Sequence, residues 1–458
     1  MAIVAASWLL PGFDRFGVQW HVLLISCLIS AVLVLFDETF FIFLRRLISI
    51  SLLRNVVLLF SIWLAVMGFI HGFISQSESL FSATMYLLMV PIGAFLACHF
   101  RGSCFFVLVP ALLITMLVLL ENILLTNYLF QGYSFNIVES SSSFPPRLFL
   151  NTRDGNFLGL VQYLLILLVF ASDKVRTILS INRSRLSILA VATLCFLPFY
   201  NAWLTQGRAL LLSALVSSLL SLLFGKSQDN YFYRQFGFAS IVACFLSFFA
   251  VLVIRFQSSL SDLGRSAISG GVAPFFQFVD RADGGRFAIW RLWIDSGISN
   301  SLWWGHGLGQ LPSVEHLPVM TPHNLAIQIL ADGGICTLFI SMVIILMISM
   351  SASKNKFFQP LDFCILCPLI VYSNLGNILF WPSGVWSLSL LLMVYIWFKI
   401  SPEESLVATT SAVGSLRSRL SVSPVTIFYT ATLVVSAVLL SSEKYLSLWS
   451  VIPLQVTN

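Results

Sequence analysis

The sequence predicts an all-α polytopic membrane protein, and three observations support this prediction. Hydrophobic residues make up 58% of the 458 residues and charged residues only 10%, whereas soluble domains carry roughly 25% charged residues. Apolar stretches of about 17–24 residues recur along the chain, which is the length that crosses a bilayer as a helix. Backbone polar groups in lipid must be satisfied within each segment, so these stretches are expected to be helical. A soluble enzyme, a secreted disulfide scaffold and a disordered chain are excluded.

Hydropathy predicts about twelve membrane-spanning helices along the chain. We therefore expect a transmembrane bundle of about eight helices over 1–254, with an outer loop at 121–156, then a large outer loop over 255–324 and further transmembrane helices over 325–458. The candidate spans lie at 21–36, 56–73, 81–98, 104–120, 157–171, 187–204, 208–224, 236–254, 326–349, 362–380, 386–400 and 425–441.

The basic residues indicate which connections face the cytoplasm. Pairs such as Arg45-Arg46 and Lys354 with Lys356 lie in alternate connections, and connections rich in Lys and Arg are cytoplasmic in membrane proteins. The two long loops, 121–156 and 255–324, must then face outward. This topology also explains the net charge of +6, so the charge indicates a lipid bilayer rather than a nucleic acid as partner.

The outer loop 255–324 contains a group of arginines that includes Arg286 and Arg291. Guanidinium groups stay charged and offer a planar fork of donors that matches phosphate oxygens. One interpretation is therefore a phosphate-binding cluster at the membrane surface. The other is a solvated cap, in which these arginines pair with nearby carboxylates such as Asp283 and Asp295.

Two further groups of polar residues lie where outer connections meet the membrane. The first contains Arg147, Asn151 and Arg153, and the second is Arg208 at the start of a span. Charge at the membrane edge is costly, so an arginine there is a candidate for function. Snorkelling of the long side chain to the interface is the simpler explanation for either arginine of the first group.

His323 and Asn324 stand where the loop 255–324 ends and the chain re-enters the membrane. Gln328 is expected to face the bundle, and the Gly-Gly pair at 333–334 allows close helix contact. A neutral imidazole, with an ordinary pKa of about 6.5, can accept a proton from a hydroxyl group. His323 is therefore a candidate general base beside the outer arginines.

Taken together, these segments resemble the O-antigen ligases and their polymerase relatives. The resemblance covers about 145–340, and no single segment carries it alone. The Gly207-Arg208 order departs from the Ser-Arg-Gly order common in that family, which bears on the role of Arg208. The matching segments are Pro146-Arg147-Leu148-Phe149-Leu150-Asn151, Gln206-Gly207-Arg208-Ala209, Gly285-Arg286-Phe287-Ala288-Ile289-Trp290, Gly305-His306-Gly307-Leu308-Gly309, and His323-Asn324 followed by Gly334 and Thr337.

The resemblance implies a GT-C-like fold and an inverting glycosyltransferase that needs neither a metal nor a cofactor. Such enzymes transfer a glycan from undecaprenyl diphosphate to a hydroxyl of the lipid A–core oligosaccharide, in the bacterial inner membrane with the active site facing the periplasm. The catalytic base implied by the resemblance is His323. The diphosphate-binding residues that it implies are Arg147, Arg208, Arg286 and Arg291. The supporting residues are Asn151, Arg153, Asn324 and Gln328.

Several alternatives stay open at the level of sequence. An O-antigen polymerase or a protein O-oligosaccharyltransferase would use the same kind of donor with another acceptor. A metal-dependent GT-C enzyme would hold a divalent ion with acidic residues, for which Asp37 and Glu38 after the first span are candidates. A flippase or transporter for lipid-linked glycan would need polar residues deep in several spans, whereas the spans here are nearly free of charge.

The loop 255–324 is expected to be a structured lid rather than a flexible tether. It is rich in Phe and Trp, which a disordered linker lacks. The stretch 284–298 contains no proline and is expected to form a helix that carries the arginines of this loop. Trp290 and Trp293 are three residues apart, so they share one face of that helix and are expected to pack on the membrane surface.

Overall fold

The structure is a computed structural model that describes only part of the chain. Within the described part the chain is almost entirely helical and contains no strand. The candidate spans 21–36 and 425–441 lie outside it, as do Asp37 and Glu38. The described residues are 43, 51–71, 89–98, 105–130, 152–172, 175, 185–205, 207–225, 231–263, 286–307, 324–354, 359–376 and 382–399.

Ten helices with defined bounds occur in the described residues, and residues 89–98 are also helical. Four helices are long and apolar enough to cross a membrane, over Phe106–Asn127, Ile188–Thr205, Tyr231–Ile254 and Leu325–Met347. This finding supports a membrane protein. The ten helices are α1 (Ser51–His71), α2 (Phe105–Phe130), α3 (Thr152–Ala171), α4 (Arg185–Thr205), α5 (Arg208–Phe224), α6 (Tyr231–Leu263), α7 (Arg286–Asn300), α8 (Leu325–Lys354), α9 (Pro360–Leu375) and α10 (Pro382–Lys399).

Helix α3 is the centre of the main bundle. Residues 155–170 of this helix are all buried, and it packs against α2, α4, α5 and α10. A helix that is apolar on all sides is expected to be surrounded by other helices. Gly159 allows two of these neighbours to come close, because a Cβ there would lie 3.0 Å from Leu210 Cδ2 and 3.6 Å from Pro198 Cβ.

Hydroxyl groups connect the helices of this bundle. The Tyr163 hydroxyl of α3 lies 2.8 Å from the Ser218 hydroxyl of α5, and the Ser217 hydroxyl of α5 donates to the Cys364 carbonyl of α9 at 2.7 Å. Small polar residues at helix contacts allow close approach and provide hydrogen bonds, which is how helices associate where lipid removes the hydrophobic drive between them. These contacts fix the order of α3, α5 and α9.

Helix α8 belongs to a second group of packed helices, with α7 on one side and α1 on the other. The contact with α7 is close because Gly297 has no side chain: a Cβ there would lie 2.7 Å from Ala331 Cα. On the other side, the Trp63 indole N–H of α1 donates to the Thr337 hydroxyl of α8 at 2.8 Å. The helix of the segment that is predicted to lie outside the membrane is thus packed directly on a candidate membrane-spanning helix.

The helix ends that the charge pattern predicts to share a face contact each other. At the predicted outer face, the Thr205 hydroxyl donates to Asn156 Oδ1 at 2.9 Å. At the predicted cytoplasmic face, the Lys399 ammonium lies 2.8 Å from the carboxylate of Asp362, which is fully buried. Asp362 was not among the predicted site residues, although an acidic residue at the end of a candidate span is a recognisable signal in a sequence.

Three helices extend into segments that hydropathy assigns to outer loops. Helix α2 continues to Phe130 and α3 begins at Thr152, so both ends of the segment 121–156 are helical. Helix α6 continues to Leu263, nine residues past the end that hydropathy predicts. In α2 the polar residues Glu121 and Asn122 do not end the helix, because both are buried.

Candidate functional site

The structure describes some of the candidate site residues fully, some in part and some not at all. Arg147, Asn151 and His323 lie outside the described residues. Arg153 in the first turn of α3 and Arg286 at the start of α7 are placed by their backbone alone. The residues described with their side chains are Arg208, Arg291, Asn324 and Gln328.

Helix α8 is broken at Gly334, close to its predicted outer end. This residue has φ 65° and ψ −168°, a backbone conformation that is essentially restricted to glycine. A Cβ at this position would lie 2.3 Å from the carbonyl group of Trp303 and 2.5 Å from the backbone nitrogen of Trp304. Glycine is therefore needed both for the conformation and for the close approach of another backbone segment.

That backbone segment is residues 301–307, the docking turn, which follows α7 and contacts α8 on both sides of the break. The amides of Ile335 and Cys336 donate to the carbonyls of Leu302 and Trp303 at 3.1 and 3.2 Å. In the other direction, the amide of His306 donates to the Ala331 carbonyl at 3.0 Å. The docking turn thus replaces helical hydrogen bonds that the break removes, as buried backbone groups require.

Two glycines shape the docking turn around His306. Gly305 and Gly307 have φ values of 65° and 104°, which glycine adopts at no steric cost. The amide of Gly307 donates to the Asp332 carbonyl at 2.9 Å. This alternation of glycines turns the chain so that the His306 side chain lies against α8.

His306 and Asp332 form a buried pair at this junction. The side chains are 4% and 6% exposed, and His306 Nε2 lies 3.8 Å from Asp332 Oδ1. The other ring nitrogen of His306 hydrogen bonds to the Ala331 carbonyl, and the ring contacts the buried Trp293 indole of α7 edge-on at 5.6 Å. Trp293 therefore packs inside the protein, on His306, and not on the membrane surface as its spacing from Trp290 led us to expect.

The start of α8 is fixed by two of the candidate residues. The Asn324 side chain accepts a hydrogen bond from the Ile327 amide at 3.1 Å, which is the role of a helix N-cap. Gln328 is buried, as its predicted bundle-facing position requires, and its amide donates to Asp332 Oδ2 at 3.2 Å. A continuous set of contacts thus joins Asn324 through Gln328 and Asp332 to His306.

Helix α1 contacts the same junction from the opposite side. His71 Nε2 donates to the Trp304 carbonyl at 3.0 Å, since a carbonyl can only accept. The Thr337 hydroxyl, which accepts from Trp63, donates in turn to the Gly333 carbonyl at 2.7 Å. The Gly333 carbonyl beside the break is thus satisfied by a side chain of α8 itself, and the Trp304 carbonyl of the docking turn by a side chain of α1.

Arg208 lies in the main bundle, at the start of α5. The residue is half-buried, and it follows Gly207, where a Cβ would lie 2.4 Å from Asn156 Oδ1. Asn156 and Thr205 also hydrogen bond to each other here. The glycine before this arginine is therefore required by the contact between α3 and the α4–α5 connection, which gives the Gly-Arg order a structural reason.

Arg291 is on the exposed face of α7. Its guanidinium lies 3.6 Å from the Asp295 carboxylate one turn away, and the two side chains are 85% and 67% exposed. This is the solvated ion pair that was the second interpretation of the arginine-rich loop. The helix expected over 284–298 is observed as Arg286–Asn300, so Arg286 and Arg291 are carried by one helix, and α7 is packed on α8.

In the described ranges, no group of three or more His, Cys, Asp or Glu side chains could hold a metal ion. No family model matches the chain, and no curated protein matches it in sequence.

Proposed function

We propose that this protein is an O-antigen ligase. It transfers a glycan from undecaprenyl diphosphate to a hydroxyl group of the lipid A–core oligosaccharide, at the periplasmic face of the bacterial inner membrane. The observation that carries this proposal is the packing of α7 and the docking turn on the broken start of α8. A transfer site needs arginines and a histidine in one place, and this packing joins the helix that begins with Arg286 to the helix that Asn324 caps, directly after His323 in the sequence.

The proposed donor site is built from arginines. Arg147, Arg208, Arg286 and Arg291 bind the diphosphate, since guanidinium groups match its oxygens and stay charged. Negative charge grows on the diphosphate as the glycan leaves. Preorganised positive groups stabilise that charge, and removing one well-placed donor typically costs about 2.7–4 kcal/mol of barrier.

The proposed transfer takes place in one displacement. His323 accepts the proton of the acceptor hydroxyl, and the oxygen forms a bond to the anomeric carbon of the glycan. The bond from that carbon to the diphosphate oxygen breaks on the opposite side, and its electron pair leaves with undecaprenyl diphosphate. The configuration at the anomeric carbon is inverted, and the step uses no metal and no cofactor.

Supporting roles follow from the contacts of the described side chains. Asn324 caps α8 through the Ile327 amide, which fixes the backbone that directly follows His323 in the sequence. Gln328 fixes the next turn through Asp332. Asn151 directly precedes α3 in the sequence and Arg153 lies in its first turn; we assign both to assist Arg208.

Deletion of the gene in its source bacterium tests the proposal. A ligase deletion loses the ladder of polymer-bearing lipopolysaccharide on a gel, while the polymer accumulates on undecaprenyl diphosphate. A product with a single repeat would instead identify a polymerase, which uses the same donor. Unchanged lipopolysaccharide with no accumulation on the carrier would refute both functions. Complementation with the wild-type gene and with Ser299→Ala, a change on the exposed face of α7, controls for expression.

A further inference from the structure

We propose that His306 and Asp332 are a positioning pair for the transfer reaction. With His306 protonated, the two side chains form a buried ion pair that holds the arginine-bearing helix α7 against the start of α8. This inference rests on the proposed function for its effect on transfer, whereas its effect on the packing of the docking turn is independent of that function. The sequence resemblance assigns no role to Asp332. It includes His306 only as part of the matching segment Gly305-His306-Gly307-Leu308-Gly309.

The hydrogen bonds of His306 decide where its protons lie. The Ala331 carbonyl can only accept, so the ring nitrogen that contacts it, Nδ1, carries a hydrogen. The opposite nitrogen, Nε2, faces the Asp332 carboxylate at 3.8 Å. Without a proton between them, Nε2 and the carboxylate are two acceptors directed at each other in a buried site, which is unfavourable. A proton on Nε2 turns this contact into an ion pair, which is attractive.

The pair connects the two elements that the proposed transfer must align. On one side, His306 contacts Trp293, which is 1% exposed and belongs to α7. On the other side, Asp332 accepts from Gln328, one turn after the N-cap of α8. A shift of the docking turn would therefore move α7 relative to the residues that follow His323.

Among the described residues, Asp332 has a carboxylate within ion-pair distance of His306 Nε2. Helix α1 contributes His71, which bonds to the Trp304 carbonyl of the docking turn. Helix α7 contributes Arg291 and Asp295, whose side chains are mostly solvent-exposed and pair with each other. Helix α8 contributes Asp332 itself.

A dependence on pH follows from the proton on Nε2. The ion pair is present when Nε2 carries a hydrogen, and it is lost when rising pH removes that hydrogen. We therefore expect the docking turn to be held more firmly at low pH and to open more often at higher pH.

Three variants separate the two contacts of His306. His306→Asn keeps an amide donor where Nδ1 reaches Ala331 and removes the group that faces Asp332. His306→Gln places an amide donor near Nε2, which can reach Asp332 at every pH. Asp332→Asn removes the charge but keeps the size of the side chain. Ser299→Ala on α7 is the matched control.

Hydrogen–deuterium exchange of the full-length protein in lipid nanodiscs reads the packing directly. Peptides that cover 302–307 and 331–336 report the four amides that bond across the junction. After correction for intrinsic exchange, wild-type protection should fall with rising pH. His306→Asn and Asp332→Asn should lower protection and remove its pH dependence, whereas His306→Gln should keep part of the protection without pH dependence. Protection in His306→Asn and Asp332→Asn that follows the wild type at every pH would overturn the proposal.

Transfer kinetics in the same nanodiscs test the positioning role, with an undecaprenyl-diphosphate-linked oligosaccharide as donor and lipid A–core as acceptor. A misplacement of about 1 Å can cost about 10²-fold in rate, so His306→Asn and Asp332→Asn should lower kcat by about 10- to 100-fold and leave KM nearly unchanged. Normal kcat together with lost protection would overturn the positioning role. Wild-type protein that transfers no glycan would refute the ligase function. The exchange data alone would then test whether His306 and Asp332 hold the docking turn on α8.

Discussion

Asp362 and Asp332 are both buried carboxylates at helix ends, yet their surroundings differ. Asp362 is fully buried and accepts short bonds from the Gln359 amide, the Tyr395 hydroxyl and the Lys399 ammonium, at 2.6, 2.6 and 2.8 Å. The contacts of Asp332 with Gln328 and His306 are longer, at 3.2 and 3.8 Å.

The difference indicates two kinds of polar junction in one protein. Asp362 joins α9 to α10 at the predicted cytoplasmic face and accepts short hydrogen bonds from three donors. A buried carboxylate with a purely structural role needs such partners, because a half-satisfied buried charge is costly. Asp332 lies beside a helix break, and one of its partners is a histidine. The first junction holds the bundle together, and the second is suited to align the candidate site.

The largest effect on stability is expected from Asp362→Ala. This change leaves the Lys399 ammonium without its buried partner, which typically costs about 3–5 kcal/mol. Chemical or thermal unfolding of the purified protein in detergent measures the loss. The double variant Asp362→Leu with Lys399→Met removes both charges and should recover most of the stability. If Asp362→Ala unfolded like the wild type, the claim that Asp362 stabilises the contact between α9 and α10 would be wrong.

The second expected effect is on the transfer rate, and it concerns the arginines at the predicted outer face. Arg208→Lys and Arg286→Lys keep a positive charge but lose the planar fork of donors, so the transfer rate should fall, by up to the roughly 10²- to 10³-fold that removal of a donor causes. Stability should change little. Transfer assays in nanodiscs measure the rate, and wild-type rates in both variants would show that the arginines provide only general positive charge.

A smaller loss of stability is expected from Gly334→Ala. The residue would keep φ 65° and ψ −168° only with strain of about 1–3 kcal/mol, and its Cβ would meet the backbone of Trp303. We expect the docking turn to separate from α8, which faster amide exchange over 302–307 would report. Gly159→Ala is the control, since its Cβ would lie 3.0 Å from the end of the flexible Leu210 side chain and 3.6 Å from Pro198 Cβ, an ordinary van der Waals distance. Equal exchange in both variants would contradict the account of the break.

The smallest effect is expected from Asp295→Asn. This carboxylate pairs with Arg291 on the exposed face of α7, and exposed pairs one helical turn apart contribute only about 0.3–0.5 kcal/mol. The free energy of unfolding should therefore hardly change, in contrast to Asp362→Ala. If Asp295→Asn lowered the free energy of unfolding as much as Asp362→Ala, solvent exposure would not explain why one ion pair stabilises the protein more than another.

Most of the described helices could be predicted from hydropathy, because long apolar stretches leave a chain in lipid few alternatives. The expected span 187–204 is observed as Arg185–Thr205, and 208–224 as Arg208–Phe224. The end of α2 was placed too early, at 120, because Glu121 and Asn122 are polar. In the structure both are buried, and Asn122 donates to the Leu197 carbonyl of α4 at 2.9 Å.

The junction around Gly334 could be predicted only in part. The glycine pair indicated a close contact, and the burial of Gln328 was expected. The partner of Gly334 was not predicted, because it is a backbone segment about thirty residues earlier, and no local pattern specifies such a contact. The alternating glycines around His306 were the available signal, since Gly305 and Gly307 both adopt positive φ.

Glycan transfer by His323→Ala tests the central claim most directly. Wild-type protein and the variant are reconstituted in nanodiscs with an undecaprenyl-diphosphate-linked oligosaccharide, and lipid A–core is added as acceptor. The account predicts that the wild type forms the glycosylated lipid and that the variant, inserted in equal amount, is slower by at least about 10²-fold, the usual lower scale for loss of a general base. Transfer at the wild-type rate by the variant would contradict the assignment of His323 and, with it, the proposed site.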